Sequence, residues 1–164
     1  FSIFKNIQIK SPPQDISKYQ AWHVAIGDNL SRMSIIERYS SNRERLFSVI
    51  SDAADVSGYS SISNGCFVAP NSVIGIDSVI GMGCIINHCA VIDHDCFIEN
   101  GVHIAPNSTL GGNVKIGEGT FVGAGSTILP GRQIGKNVVI GAGAVVTTDI
   151  PDNKRVIGIP GRYK

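Results

Sequence analysis

A column of branched aliphatic residues recurs at every sixth position from Val56 to Val146. It defines 16 hexads over residues 56–151, and every one of the 16 opens on Val, Ile or Leu. An α-helix turns once in 3.6 residues, so a period of six cannot keep one helical face apolar. The same period suits short extended segments joined by turns, where β-branched residues are favoured. The fourth residue of the hexad is Gly, Asn or Asp in 14 of 16 cases, with Tyr59 and Cys89 the exceptions. Those three types tolerate a left-handed backbone, so this position reads as a corner. The fifth residue is Ser, Cys, Ala, Thr or Val in 14 of 16, Arg132 and Ile150 departing. That pattern predicts a small inward side chain beside the aliphatic one. The expected fold is an all-β solenoid in which each hexad supplies one strand and one corner. Stacking gathers the aliphatic column into a continuous core, worth roughly 25 cal/mol per Å² of apolar surface buried.

Residues 1–55 lack the hexad rule and read as a partial α/β segment. "WHVAI", 22–26, predicts a buried strand, and "GDN", 27–29, a turn with Asp28 or Asn29 capping a helix. "LSRMSIIERYSS", 30–41, predicts a moderately amphipathic helix, and "RLFSVI", 45–50, a second strand. The opening "FSIFKNIQIKSPPQ" reads as strand then loop. Together these resemble the tail of a β-α-β nucleotide-binding unit, a Rossmann-like remnant without its glycine-rich first turn. The chain opens on Phe1 with no leader pattern, so a truncated unit is one expectation. Residues 152–164 form a tail in which Lys154, Arg155 and Arg162 are candidates to meet phosphates or to lie solvated.

Fourteen Lys and Arg against 13 Asp and Glu leave a net charge of +1, which offers no electrostatic footprint for nucleic acid or anionic membrane. No apolar run approaches the roughly 20 residues of a spanning helix. Of the four cysteines, Cys66, Cys84 and Cys96 fall at the small inward position, where a free thiol packs as a small hydrophobe. A reducing, cytoplasmic location follows as the expectation.

The histidines can be placed on this frame. His88 and His94 are third residues of their hexads and His103 is a sixth, so none occupies an inward position. An ordinary exposed side chain is the plain reading of each. For His94 the flanking Asp93 and Asp95 add a second one, because a carboxylate beside an imidazole orients it and raises its basicity, as a general base requires.

"NHCAVIDHDCFIENGVHIAPNSTLGGNVKIGEGTFVGAGSTILPG", 87–131, with "VAIGDN", 24–29, resembles the left-handed β-helix acetyltransferases that act on amino-sugar nucleotides or sialic acid in bacteria. The resemblance implies a left-handed coil with three hexads per turn, about five coils, a homotrimer, and direct transfer from acetyl-CoA to a sugar or sugar-nucleotide acceptor. It implies that His94 is the general base and Asp95 its support. By the same resemblance His103, Ala124 and Ala142 contact acetyl-CoA, while Asn87 and Gly27 touch the sugar nucleotide. Ala124 and Ala142 are 18 residues apart and share a column with His88 and Pro106, leaving either an open groove or simple turn packing. His94 and His103 lie half a coil apart, so the expected site draws on two chains. The Gly111-Gly112 stretch is a candidate source of a backbone N–H for an oxyanion. Two further readings stand beside this one. A carbonic anhydrase on the same coil needs three converging histidines on zinc, and spacings of 6 and 9 without a close pair predict no metal. A non-catalytic scaffold is the other.

Overall fold

The structure, a computed structural model, describes residues 16–163. The expected strand and loop over residues 1–14 lie outside the described residues. Two-residue strands follow one another with a six-residue period and stack into three parallel sheets. The first face begins Val49–Ile50, Phe67–Val68, Ile85–Ile86, His103–Ile104, Phe121–Val122, Val139–Ile140 and continues into Arg155–Ile157. The second face runs from Asp55–Val56 to Val145–Val146 and the third from Ser61–Ile62 to Gln133–Ile134. Register is 18 residues per coil from Val49 to Val146, His103 pairing with Ile85 on one side and Phe121 on the other, and tightens to 16 where Val139 pairs with Arg155. The rungs start one hexad ahead of Val56, because Val49–Ile50 pairs with Phe67–Val68, and the coil makes about six turns. Arg162–Tyr163 folds back antiparallel on Arg155–Ile157 and covers the last edge of the first face.

Side-chain direction follows the hexad. The first-position aliphatics from Val68 to Val146 are almost wholly buried and form one core with Cys66, Cys84, Cys96 and the small fifth-position residues. Ser78, Ser108 and Thr120 in that layer donate to carbonyls one hexad-row away, Ser78 to Asp93 at 2.7 Å while accepting from the Cys96 N–H at 3.1 Å, whereas the buried Ser126 hydroxyl has no partner among the described residues. Fourth-position residues take positive φ in 14 of the 16 hexads. Cys89 is among them at φ 56 despite its Cβ, so the corner is imposed on it by the neighbouring coils. All four cysteines are free, and Cys89 alone is exposed.

The segment before the coil differs from its sequence expectation. Asp28 caps helix Asn29–Arg38, accepting from the Ser31 N–H at 2.8 Å, and a 3₁₀ segment, Ser40–Arg45, follows. The strand expected over 22–26 shrinks to a single parallel bridge between Trp22 and Leu46. The carbonyls of Ile26 and Gly27 turn instead to the guanidinium of Arg32. Of residues 45–50 only Val49–Ile50 is a strand, and it belongs to the coil. Val24, Ile36 and Leu46 make a small second core with Trp22, Met33 and Met82, seating the helix against the corner between the third and first faces. Among the described residues no helix is long and apolar enough to cross a membrane.

Candidate active site

His94 stands on the corner between the second and third faces. Its backbone N–H is held by the Asp93 carboxylate at 2.8 Å, and its Nδ1 lies 2.7 Å from Oδ2 of Asp95. A carboxylate can only accept, so Nδ1 carries the proton and Nε2 is left as a lone-pair acceptor. The ring is 54% exposed, open to a reacting partner. The Asp95 hydrogen bond, and then the charge of Asp93, raise its pKa above the ordinary imidazole value. One coil on, the ring lies over Gly112: a Cβ built there would sit 2.5 Å from both Cε1 and Nε2. The imidazole occupies the space that a side chain at 112 would need.

His103 lies on the first face, past the next corner, and the structure does not bring it to His94 within one chain. It is half-buried, because the Gly27 turn and the helix cover this part of the coil. Its ring meets Phe121 edge-on, centroids 5.1 Å apart. Asn87 links it to His88. The Asn87 Oδ1 accepts from the His88 backbone N–H and from its Nδ1, each at 2.8 Å, which fixes the amide orientation. The Asn87 Nδ2 must then donate to Nε2 of His103, 3.2 Å away. His103 is therefore a neutral imidazole with its proton on Nδ1. Burial, reinforced by the charge of Arg32, lowers its pKa, and the Gly27 carbonyl beside the ring opposes them. The Nδ1 atom is buried without a completed hydrogen bond.

Ala124 and Ala142 sit exposed on the corner between the first and second faces, in the column of His88 and Pro106. Among the described residues the backbone N–H groups of Gly112, Ala124 and Ala142 have no hydrogen-bond acceptor. The local sequence explains this. Where the preceding residue is Asn87 or Asp93 its side chain caps the following N–H; after Gly81, Gly117 and Gly135 a side chain of a neighbouring coil, Asn100, Glu99 or Asp152, does so; after Gly111, Gly123 and Gly141 neither source is present. These free donors suit carbonyl oxygens of an extended ligand.

Arg32 and Asn29 were not legible as site residues. Arg32 is 1% exposed in a helix whose composition is polar. Among the described residues no three His, Cys, Asp or Glu side chains converge as a metal site.

A family model described as bacterial transferase hexapeptide (six repeats) matches residues 95–130 and 113–148. The acetyltransferase domain of PglB from Neisseria gonorrhoeae FA1090 superposes with a TM-score of 0.86 at 36% identity, covering 88% of this chain and 70% of that one, and is also solved with acetyl coenzyme A. A perosamine N-acetyltransferase from Caulobacter crescentus with one histidine replaced by asparagine, in complex with CoA and GDP-perosamine, aligns at 38% identity over 87% of this chain and 68% of that chain, TM-score 0.81. WeeI from Acinetobacter baumannii AYE matches at 25% identity over 92% and 74% of the two chains, TM-score 0.85.

Proposed function

Because this chain belongs to the hexapeptide-repeat sugar acetyltransferases of bacteria, acyltransferases built on a left-handed parallel β-helix, we propose that it moves an acetyl group from acetyl-CoA to an amine or hydroxyl of a sugar or sugar nucleotide. The observation that carries the reading is the His94–Asp95 pair, with Nε2 free at an exposed corner above the Gly112 backbone. In this mechanism Nε2 accepts the proton of the attacking amine or hydroxyl as its lone pair closes on the thioester carbonyl. Asp95 supports the imidazolium that forms, and the proton passes on to the departing CoA thiolate. The free N–H of Gly112 is placed to stabilise the developing oxyanion, and those of Ala124 and Ala142 to hold the amide carbonyls of the pantetheine arm. In this reading His103 meets the acetyl end of acetyl-CoA, and Asn87 and Gly27 receive the sugar acceptor.

The functional groups divide between separate corners of one coil, which supports a site shared by two copies in a homotrimer. Ile76, in the His94 column, and Val79 and Phe97 on the third face are exposed apolar side chains beside that corner, fit for burial against another copy. Three buried free thiols support a cytoplasmic location.

The direct test is CoA release from acetyl-CoA with a panel of UDP- and GDP-linked amino sugars and free sialic acid. Turnover of at least one acceptor is expected, with His94→Ala lowering kcat by about 10²–10⁴. Full activity in that variant removes the base assignment, and no turnover with any acceptor removes the transfer reading. Sedimentation that shows an active monomer overturns the shared site.

A further inference from the structure

Arg32 is the most deeply buried charged residue among those described, and the reaction as outlined makes no use of it. It has no carboxylate within ion-pair distance among the described residues. All five of its N–H donors nevertheless find acceptors. Nε donates to the Gly83 carbonyl at 2.6 Å, Nη1 to the carbonyls of Ile26 and Gly27 at 3.0 and 3.1 Å, and Nη2 to the Gly101 carbonyl at 2.9 Å and Oδ1 of Asn29 at 2.8 Å. Asn29 then donates to the carbonyls of Gly119 and Thr120 at 3.0 and 3.2 Å. Gly83, Gly101 and Gly119 are the same corner of three successive coils. One planar fork thus ties the turn that bears Gly27 to a fixed height on the coil. Burying a guanidinium without a counter-ion is expensive, and a Met of similar volume would fill the seam without that cost. What a Met cannot do is hold two consecutive turn carbonyls and two coil carbonyls in one plane.

We propose that Arg32 is the positioning residue of the site: it sets the Ile26–Gly27 turn against His103 and so fixes where an acceptor resting on that turn meets the ring. The placement of Gly27 is what makes this matter. Its carbonyl is shared between Nη1 of Arg32 and the neighbourhood of the buried Nδ1 of His103. Asn87 meanwhile commits Nε2 to accepting a hydrogen bond. Asn87 holds the ring at Nε2, and the turn that Arg32 sets stands at its Nδ1 side. The inference rests on the transfer reading for its kinetic consequence, but its structural part concerns His103 alone.

The experiment compares wild type with Arg32→Lys, Arg32→Met and Asn29→Ala. Lysine keeps the charge but offers three donors without the planar fork. Asn29→Ala removes one acceptor of Arg32 and the anchor to the third corner, and keeps the assay open should Arg32→Met fail to fold. Nitrogen-15 spectra of the imidazole rings report the His103 tautomer without any acceptor present. A single Nδ1–H form is expected in wild type, and a mixture of tautomers in Arg32→Lys. With the best acceptor of the panel, kcat/KM for that acceptor is expected to fall about 10²-fold in Arg32→Lys, as for a misplacement of about 1 Å. KM for acetyl-CoA, whose arm the reading sets along Ala124 and Ala142 on another corner, should change less than KM for the acceptor. An unchanged ring spectrum together with wild-type acceptor kinetics in Arg32→Lys and Asn29→Ala overturns the proposal. So does a uniform fall in all kinetic constants that tracks lost thermal stability. If wild type turns over no acceptor, the transfer reading fails, and the ring spectra still decide the role of Arg32.

Discussion

Gly112→Ala is the sharpest perturbation available to the proposed base, because it displaces His94 without removing a chemical group. The added Cβ would lie 2.5 Å from Cε1 and Nε2 and 3.1 Å from Nδ1 of His94. Carbon contacts settle near 3.5 Å, so the ring must retreat by about 1 Å. The Nδ1–Asp95 contact, now 2.7 Å, turns with it. Nothing else lies among the three nearest atoms, and the backbone at 112 is outside the left-handed region, so alanine is tolerated there. The ring is exposed and yields into solvent, which keeps the cost to folding small. The backbone N–H of residue 112 survives the change. A misplacement of this size costs about 10² in rate, or about 2.7 kcal/mol of barrier. Steady-state CoA release should show kcat down by that factor, KM for acetyl-CoA little changed and the melting temperature near wild type. In a His94→Ala background the same substitution should add nothing, since the two act through one ring. A kcat within about twofold of wild type, or a full additive loss in the His94→Ala background, would refute the reasoning.

The pH profile gives a second check. The imidazole works as a base only when neutral, so kcat/KM should rise with pH through the raised pKa of His94. Asp95→Asn removes the largest cause of that rise, and the acid limb should move to lower pH while the plateau falls about tenfold or more; a limb that stays in place would detach Asp95 from the base. At the corner of the 86–91 hexad, Cys89 holds a left-handed backbone that its Cβ disfavours. Cys89→Asn should stabilise the fold by about 1 kcal/mol and raise Tm by about 2–4 °C in a thermal melt, and a drop in Tm would contradict the corner argument.

The coil was legible because three columns of the hexad each answer to one physical demand: burial at the first residue, left-handed backbone at the fourth, small volume at the fifth. Cys89 violates the composition of the corner and still adopts its geometry. Ile50 continues the aliphatic column, but Ala53 stands at its corner, so the first rung escaped a reading that began at Val56. The His94–Asp95 pair was visible as adjacent titratable groups on a known face. The cover over His103 was not, because it comes from a turn nearly eighty residues away whose placement depends on Arg32. An arginine in a polar helix looks like a solvated one until its partners, backbone carbonyls with no side-chain signature, are seen. The strand expected over 22–26 failed for the same reason, its carbonyls having gone to the guanidinium rather than to a sheet.

The ladder of corners at Gly83, Gly101 and Gly119, gripped by Arg32 and Asn29, makes the distance between the amino-terminal turn and the rest of the prism a discrete quantity. The helix can slide only in steps of one coil, about 4.8 Å along the axis, or 18 residues of chain. An insertion of one hexad would keep the burial, corner and small-residue columns in phase but carry Gly83, Gly101 and Gly119 off their shared corner. A protein on this plan can therefore lengthen freely beyond its last rung, while the stretch between the helix and His94 is held to whole turns.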